Sequence, residues 1–310
     1  MILPVTEETP IPTEPEEEYN TPEPVEEPFV VESDEEEDNN RMLPNLIDVE
    51  FVEATTNVNV RPEPNTDCEV YFTLNHGNSL RYVGTYDEDW YIVEYDGGEA
   101  YVSRQYSQVV TKKALPYSIQ CYGCLKCDAT LFDSEGNPIR EIPINELVEI
   151  YGEDEDYYLV GVYGYYGYMD KKLITKLSGT FVVTDKSDQA TTVYVGGYPS
   201  HIYPVITADA ETTEGLHAVN KIMYDTSLVD RKAGYDCPVD VFIRYYKGQG
   251  FHDAEHHTCK NGRHGWRSTG SFGGNTYKRN PTHGCTNMRN KDAMQLASLV
   301  EVGTPVLVKR

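Results

Sequence analysis

The amino-acid sequence predicts a mainly β protein, with two small barrels followed by a β-sandwich and a short helix near the C-terminus. Short segments of alternating apolar and polar residues, separated by glycine-containing turns, run through most of the chain and are typical of strands. A pattern of aromatic residues recurs in the middle of the chain, which indicates two copies of one module. Helical spacing of apolar residues appears at residues 291–300.

The N-terminal segment, residues 1–45, is predicted to be a disordered, acidic, proline-rich linker. Its first forty residues contain fifteen Asp or Glu and no Lys or Arg. This composition offers too little apolar surface to offset the entropy lost on folding, and charge repulsion keeps such a chain extended. We interpret the segment as a spacer, with a solubilising tail as the alternative.

The middle of the chain contains an internal repeat. Trp90 and Tyr101 recur sixty-seven residues later as Tyr157 and Tyr168, and each pair is flanked by alternating apolar and polar residues. A repeat of this length, rich in strand formers, predicts two small β modules. The predicted domains are residues 46–111 and 112–177.

The first module carries Asn59-Val-Arg-Pro62 and, later, the strand pair that begins at Trp90. In these segments it resembles a bacterial SH3-like domain, and the second module resembles a more divergent one. The resemblance implies binding to the cell wall, with glycan as a partner. A role as simple spacers stays open.

The charge of the chain is unevenly distributed. The first forty residues contribute −15, residues 41–177 contribute −12 and the remainder contributes +2, which together give the net charge of −25. Nucleic-acid binding needs a basic face, so nucleic acid is not expected as a partner. The nearly neutral C-terminal part, residues 178–310, is the third predicted domain and suits a substrate that carries both amines and carboxylates.

The C-terminal part again shows strand patterns, followed by the helix and a last strand. Asn290 is predicted to be the helix N-cap, Asp292 lies in the first turn where the helix dipole favours a negative charge, and Gly303 ends the helix. The last strand is Pro305–Val308. The preceding strands are predicted at residues 180–184, 192–196, 202–208, 216–222 and 239–246.

The segment Pro281-Thr-His-Gly-Cys-Thr-Asn-Met288 carries the chemistry, because Cys285 lies among polar residues rather than in an apolar run. We expect a nearby imidazole to lower the pKa of the thiol, since the thiolate is the nucleophile. The amides of Gly284 and Cys285 could face a developing oxyanion. Covalent catalysis is therefore predicted, with a metal-ligand pair or a surface turn as alternatives.

Several segments now resemble one family, the L,D-transpeptidase catalytic domain. That family carries Ser/Thr-His-Gly-Cys-x-Asn/Arg, matched here by Thr282 to Asn287, with a second histidine upstream. Three further segments resemble the family's elements in order: Gly250-Phe-His-Asp-Ala254, Trp266-Arg-Ser268 and Phe272-Gly-Gly-Asn-Thr-Tyr-Lys278. The family's Thr-Pro-x-Gly turn corresponds to Thr213-Glu-Gly-Leu, which lacks the proline. The resemblance covers residues 179–310 and implies an L,D-transpeptidase-type β-sandwich.

The family resemblance leaves two histidines as candidates for the general base. His252 lies between Phe251 and Asp253 as in the family, and we favour it. His264 lies twenty-one residues before Cys285, a separation that the family also shows.

The implied reaction is acyl transfer between peptidoglycan stem peptides. Cys285 attacks the third residue of a donor stem peptide, D-alanine leaves, and the side-chain amine of an acceptor stem peptide resolves the thioester. The resemblance implies no cofactor and no metal. His283 is expected to orient the loop, and the remaining candidates are substrate-binding residues: Trp266, Arg267, Tyr277, Thr282, Asn287 and Arg289. For the two arginines, a simple surface charge is the alternative.

The other cysteines admit several interpretations. Cys121-x-x-Cys124-x-x-Cys127 has the spacing of metal ligands but lacks an evident fourth ligand, so a disulfide or free thiols are favoured. Cys237 and Cys259 could pair in an extracellular setting. Between His252 and Trp266 lies an apparent insertion, for which a substrate-covering loop is favoured over a zinc site.

Two alternatives to the transpeptidase remain at the sequence level. Water could resolve the thioester, which would make the protein an L,D-carboxypeptidase, or a catalytic domain without activity could leave a wall-binding protein. The family works in the extracellular cell wall, takes part in cell-wall biogenesis and cell shape, and is a carbapenem target. We therefore expect a membrane anchor that is absent from this chain.

Overall fold

The computed structural model describes residues 45–74, 76–95, 98–230, 235–255, 272–279 and 281–310. The predicted linker lies outside these residues except for its last position. Most of the described residues are in strands, as the sequence predicts. Among them, no helix is both long enough and apolar enough to cross a membrane.

The first module forms a seven-stranded antiparallel sheet with the order β3-β2-β6-β5-β4-β1-β7. Its core consists of inward-facing aliphatic residues and Phe72, because alternate residues of each strand face the same side. A 3₁₀ turn at Arg104–Tyr106 joins β6 to β7. The strands are β1 Ile47–Ala54, β2 Val58–Arg61, β3 Phe72–Leu74, β4 Ser79–Thr85, β5 Trp90–Tyr95, β6 Gly98–Ser103 and β7 Ser107–Ala114.

The second module repeats this sheet strand for strand, with the order β10-β9-β13-β12-β11-β8-β14. A 3₁₀ turn at Lys171–Leu173 again precedes the last strand. The strands are β8 Cys121–Leu125, β9 Ala129–Phe132, β10 Pro138–Ile142, β11 Leu147–Glu153, β12 Tyr157–Val162, β13 Tyr165–Asp170 and β14 Ile174–Leu177.

The repeat extends to the pairing register of the strands. Ile92 pairs with Tyr101 across β5 and β6, and Leu159 pairs with Tyr168 across β12 and β13. All four positions follow the sixty-seven-residue offset that the sequence indicates. The two modules are therefore the same fold.

The turns between paired strands repeat as well. Asp87 Oδ1 accepts from the amide of Trp90 at 2.9 Å, and Asp154 Oδ1 accepts from the amide of Tyr157 at 2.7 Å. An aspartate that bonds the backbone a few residues ahead stabilises such a turn.

Neither described sheet closes into a barrel, which differs from the predicted architecture. In the first sheet the end strands are β3 and β7, and in the second they are β10 and β14. Each end strand pairs on one side only, because β3 bonds β2 alone and β7 bonds β1 alone. The modules are open, SH3-like sheets.

The C-terminal part contains two sheets that share one core with a helix. The larger sheet has the order β17-β16-β15-β23-β18, and the smaller has the order β19-β20-β21-β22. The strands are β15 Phe181–Asp185, β16 Ala190–Val195, β17 Tyr198–Pro204, β18 Gly215–Ala218, β19 Lys221–Asp230, β20 Tyr235–Tyr246, β21 Gln249–Asp253, β22 Thr286–Met288 and β23 Pro305–Lys309. Val182 and Val306 of one sheet and Ile243 and Phe251 of the other lie in this core together with Leu296 of the helix.

The long helix, α2 (Asn290–Leu299), begins one residue earlier than predicted. Arg289 is the N-cap, and Asn290 instead donates from its side chain to Asp240 at 2.5 Å. Asp292 lies in the first turn as expected. Gly303 lies beyond the helix, in the turn before β23. A shorter helix, α1, covers Thr276–Arg279.

The second module packs directly on the C-terminal part. Tyr122 contacts Phe181 and Tyr194, whose rings stack with centroids 4.5 Å apart. Lys309, at the end of β23, lies 2.9 Å from both Glu146 of the second module and Asp185 of β15. The two parts therefore share apolar and ionic contacts.

Candidate active site around Cys285

Two short parallel strands position the predicted catalytic residues. In β21 and β22, Phe251 lies opposite Thr286 and His252 lies opposite Asn287. Phe251 faces the shared core. Because side chains alternate along strands, His252 and Asn287 share the opposite face of the sheet. Cys285 directly precedes β22, and its sulfur lies beside Gly248 and Gly250 at the start of β21.

The sulfur of Cys285 lies against the turn that joins β20 to β21. Its thiol points to the carbonyl oxygen of Gly248, 3.8 Å away, and the Gly250 amide donates toward it. The residue is partly exposed, yet protein surrounds the sulfur, and burial raises the pKa of the thiol to about 11. This differs from the expected lowering. A raised pKa favours the protonated thiol at neutral pH, so a nucleophilic role would require a base to take its proton.

His252 is held in one orientation by the backbone. The side chain is only 4% exposed, and Nδ1 lies 2.8 Å from the carbonyl oxygen of Asp253. A carbonyl can only accept, so Nδ1 carries the proton and the neutral ring has its lone pair on Nε2. A histidine in this tautomer is suited to accept a proton through Nε2.

Asp253 in turn fixes the end of β21 against β20. Its Oδ1 accepts from the amides of Asp240 and Val241, at 2.8 and 3.0 Å. Burial raises the pKa of this carboxyl group, and the two amide bonds oppose that rise. In the sequence, Asp253 is identifiable only as the residue that follows His252. Its role in positioning the histidine is visible only once the strand pairing is known.

The loop before Cys285 is closed by a threonine. Thr282 is buried, its hydroxyl donates to the carbonyl oxygen of Cys285 at 2.6 Å, and the Gly284 amide donates to that hydroxyl at 3.2 Å. The Gly284 amide is thus engaged inside the loop. Its predicted use as an oxyanion donor would require it to leave Thr282.

Gly284 has no room for a side chain. Its φ is +116°, and an added Cβ would lie 3.0 Å from Gln249 Nε2 and from the carbonyl oxygen of Glu211. Gln249 also accepts from the Thr213 amide at 3.0 Å and donates to the carbonyl oxygen of Glu211 at 2.7 Å. The segment 211–213, which leads into the turn that lacks the family's proline, is held beside Gly284 by this glutamine. Gln249 could not be predicted from the sequence, because a single polar residue at the start of a strand forms no pattern.

The other predicted site residues lie at different depths around this loop. His283 is exposed, whereas Asn287 is buried. Tyr277 packs against a small apolar cluster that includes Phe272. The guanidinium group of Arg289 lies 5.8 Å from the centre of the Phe272 ring and 3.8 Å from Asp292, so its charge already has an acidic neighbour.

Three predicted residues lie outside the described part of the chain: His264, Trp266 and Arg267. The apparent insertion, including Cys259, lies there too. Cys237 is disulfide-bonded, in agreement with the expected pairing of that cysteine, although its predicted partner is among the residues not described.

The three closely spaced cysteines, two of them in β8 and Cys127 just after it, are free thiols at different depths. Cys121 is partly buried, Cys124 is buried and Cys127 is exposed. Burial raises the pKa of Cys124 to about 11. Within the described ranges, no group of three or more His, Cys, Asp or Glu side chains is arranged to hold a metal ion.

Comparison with known families agrees with this architecture. Residues 179–308 match the family model of the YkuD L,D-transpeptidase catalytic domain. This part of the chain belongs to the L,D-transpeptidase family. Residues 56–108 match the model of a bacterial SH3 domain, so an SH3 domain precedes the L,D-transpeptidase domain.

Several solved L,D-transpeptidases are similar to this chain. The catalytic domain of the Enterococcus faecium L,D-transpeptidase is 25% identical, with 43% of this chain and 98% of that chain covered and a TM-score of 0.35. A mutant of the E. faecium enzyme is 19% identical (60% and 75% covered, TM-score 0.39), and the Mycobacterium smegmatis L,D-transpeptidase is 18% identical (65% and 90% covered, TM-score 0.34). The search of curated proteins gave no match.

Proposed function

We propose that this protein is a cysteine-dependent L,D-transpeptidase that cross-links peptidoglycan stem peptides in the cell wall. The observation that carries the proposal is the pairing of β21 with β22. That register puts His252 opposite Asn287, two residues from Cys285, whose sulfur lies beside Gly248 and Gly250 at the start of the histidine's own strand. Acyl transfer through a thiol needs a base close to the nucleophile, and this arrangement supports His252 in that role.

In the proposed mechanism the thiol is activated as it reacts. Because burial raises the pKa of Cys285 to about 11, a stored thiolate is disfavoured at neutral pH. His252 accepts the thiol proton through Nε2 while sulfur attacks the third-residue carbonyl of the donor stem peptide. The resulting imidazolium then protonates the leaving D-alanine amine. The Gly250 amide, which donates toward the sulfur, stabilises negative charge there.

The thioester is then resolved by the side-chain amine of an acceptor stem peptide. That amine attacks the thioester carbonyl, the C–S bond breaks, and the proton lost by the amine returns through His252 to the sulfur. Tyr277, Thr282, Asn287 and Arg289 border this site and are the proposed substrate-binding residues, with His283 orienting the loop. We assign the enzyme to the extracellular cell wall, which suits the disulfide at Cys237.

The reaction is tested with purified protein, a stem tetrapeptide donor and an acceptor amine, with products separated by mass spectrometry. The proposal predicts a cross-linked dimer and free D-alanine from the native protein and neither from Cys285→Ala. Tripeptide without dimer would instead indicate an L,D-carboxypeptidase. Binding of wall fragments without any D-alanine release would indicate a non-catalytic wall-binding protein.

A further inference from the structure

A second cavity lies away from Cys285, where the two SH3-like sheets meet the catalytic domain. Its volume is about 410 Å³, within the range of small-molecule binding sites. Phe51 belongs to the first sheet, Tyr151 and Tyr166 to the second, and Tyr198 to the catalytic domain, and all of them line it. No residue of the proposed acyl-transfer site is among its lining residues.

The carboxylate of Glu149 is the unusual group in this cavity. Tyr151 donates its hydroxyl to Glu149 Oε2 at 2.6 Å, and within the described residues no Lys, Arg or His forms an ion pair with this carboxylate. Burial raises the pKa of Glu149, while the Tyr151 bond opposes that rise. Leaving a partly buried carboxylate without a cation is costly.

The basic residues that line the cavity are already engaged elsewhere. Arg81 donates to the carbonyl oxygens of Leu115 and Tyr117, both at 3.0 Å, and lies 3.8 Å from Glu94. The two lysines on its wall are also paired, Lys112 with Glu53 and Lys113 with Asp48, each at 2.9 Å. The charge that lacks a partner in this cavity is therefore negative.

Two tyrosine rings lie close to Glu149. The rings of Tyr151 and Tyr166 meet edge to face with centroids 5.6 Å apart. A Cβ on Gly161 would lie 2.9 Å from the Tyr151 ring, 3.0 Å from Glu149 Oε2 and 3.1 Å from the Tyr166 ring, so glycine permits this arrangement. Tyrosine faces attract cations, and a nearby carboxylate adds to that attraction.

We propose that this cavity binds the ammonium group of an alkylamine, with Glu149 as the counter-ion and Tyr151 and Tyr166 as its aromatic walls. Two sources offer this chemistry, a free diamine and the side chain of a diamino acid within a peptide. The proposal does not depend on the acyl-transfer function, because the cavity and Cys285 share no residue.

The test is an NMR titration of the Cys285→Ala variant of the full chain, following the amide signals of Gly164 and Gly197, which line the cavity. The probes are cadaverine, Nα-acetyl-lysine methylamide and the neutral Nα-acetyl-norleucine methylamide. We expect the lysine derivative to bind and the norleucine derivative to bind at least about tenfold more weakly. Binding of cadaverine as well would indicate that a free amine suffices.

The matched variants are Glu149→Gln and Glu155→Gln, the latter exposed and outside the cavity. We expect Glu149→Gln to weaken binding by about tenfold or more and Glu155→Gln to leave it unchanged. If Glu149→Gln fails to fold, as judged by circular dichroism, Tyr166→Leu replaces it and is expected to weaken binding as well. Equal binding of the neutral probe, unchanged binding in the variant, or no binding of either amine would overturn the proposal.

Discussion

Cys285 combines partial exposure with a sulfur surrounded by protein. Burial raises the pKa of the thiol to about 11, above the usual value of about 8.5. A thiol with a raised pKa gains its thiolate form only as the pH rises toward that value. We therefore expect the Cys285 thiol, the proposed nucleophile, to be protonated over the physiological pH range in the free protein.

Alkylation with iodoacetamide tests this directly, with the exposed Cys127 as an internal control. At pH 7.5 we expect Cys285 to react roughly 100-fold more slowly than Cys127, with a rate that keeps rising beyond pH 9. Peptide mapping by mass spectrometry resolves the two sites. A Cys285 rate that reaches a plateau below pH 8 would show a preformed thiolate instead.

Gly284 meets both a backbone and a packing constraint. Gly284→Ala places a Cβ at φ +116° and 3.0 Å from Gln249, and we expect a loss of about 2–4 kcal/mol in the free energy of unfolding. Gly303→Ala is the matched control, since its φ is +102° but no atom lies within 4 Å of an added Cβ. It is expected to cost about 1–2 kcal/mol and to leave acylation of Cys285 unchanged. If urea denaturation gives the same loss of stability for both variants, the close contact with Gln249 adds nothing to the cost at Gly284.

The sequence predicts the order of the strands and helices better than it predicts where each strand ends and which strands pair. Alternation predicted a strand at residues 239–246, and the structure extends it to Tyr235–Tyr246. The strand predicted at 216–222 is two strands, β18 and β19, which belong to different sheets. The chain changes sheet between them, where the amides of Val219 and Asn220 donate to the carbonyl oxygens of Thr304 and Arg244. A local sequence pattern does not show which distant residues the backbone will bond.

The same limit applies to the candidate site. The segment around Cys285 and the histidine in Gly250-Phe-His-Asp-Ala254 could be found as motifs, because several residues occur together. Gln249 and the positioning role of Asp253 could not, since both depend on contacts between separate strands. The raised thiol pKa also depends on burial, which spacing alone does not predict.

Gln249, the first residue of β21, bonds the segment 211–213 through both ends of its side-chain amide. We expect these hydrogen bonds to stabilise the protein. Gln249→Ala removes the bonds to Thr213 and Glu211, which should cost about 1–3 kcal/mol in the free energy of unfolding. Gln249→Glu should destabilise the protein too, because it keeps the acceptor for Thr213 but sets a carboxylate oxygen against the Glu211 carbonyl.

Hydrogen exchange at the Thr213 amide locates this effect. The amide should exchange at least about tenfold faster in Gln249→Ala than in the native protein. It should stay protected in Gly303→Ala, which leaves the Gln249 hydrogen bonds intact. Unchanged protection in Gln249→Ala would mean that this segment is held by other contacts.

Across the whole molecule, the catalytic domain and the second SH3-like sheet meet at a buried ion pair. Glu146 and Lys309 lie 2.9 Å apart, with side chains 5% and 16% exposed. Glu146→Gln should lower the free energy of unfolding by about 1–3 kcal/mol, because among the described residues Lys309 then keeps Asp185 alone as a carboxylate partner.

Glu153→Gln is the control, because Glu153 pairs with two lysines at the surface and should change stability little. If urea denaturation finds the Glu146 variant no less stable than the Glu153 variant, the ion pair does not stabilise this junction.

We expect Cys285 to form an acyl-enzyme with the help of His252 on the neighbouring strand β21. Intact-mass analysis after exposure to a carbapenem tests it most directly, because a β-lactam forms a stable thioester with such a cysteine. We expect one adduct on the native protein, none on Cys285→Ala, and acylation slowed by about 100-fold or more in His252→Ala. An adduct that persists in Cys285→Ala, or its absence from the native protein, would contradict the account.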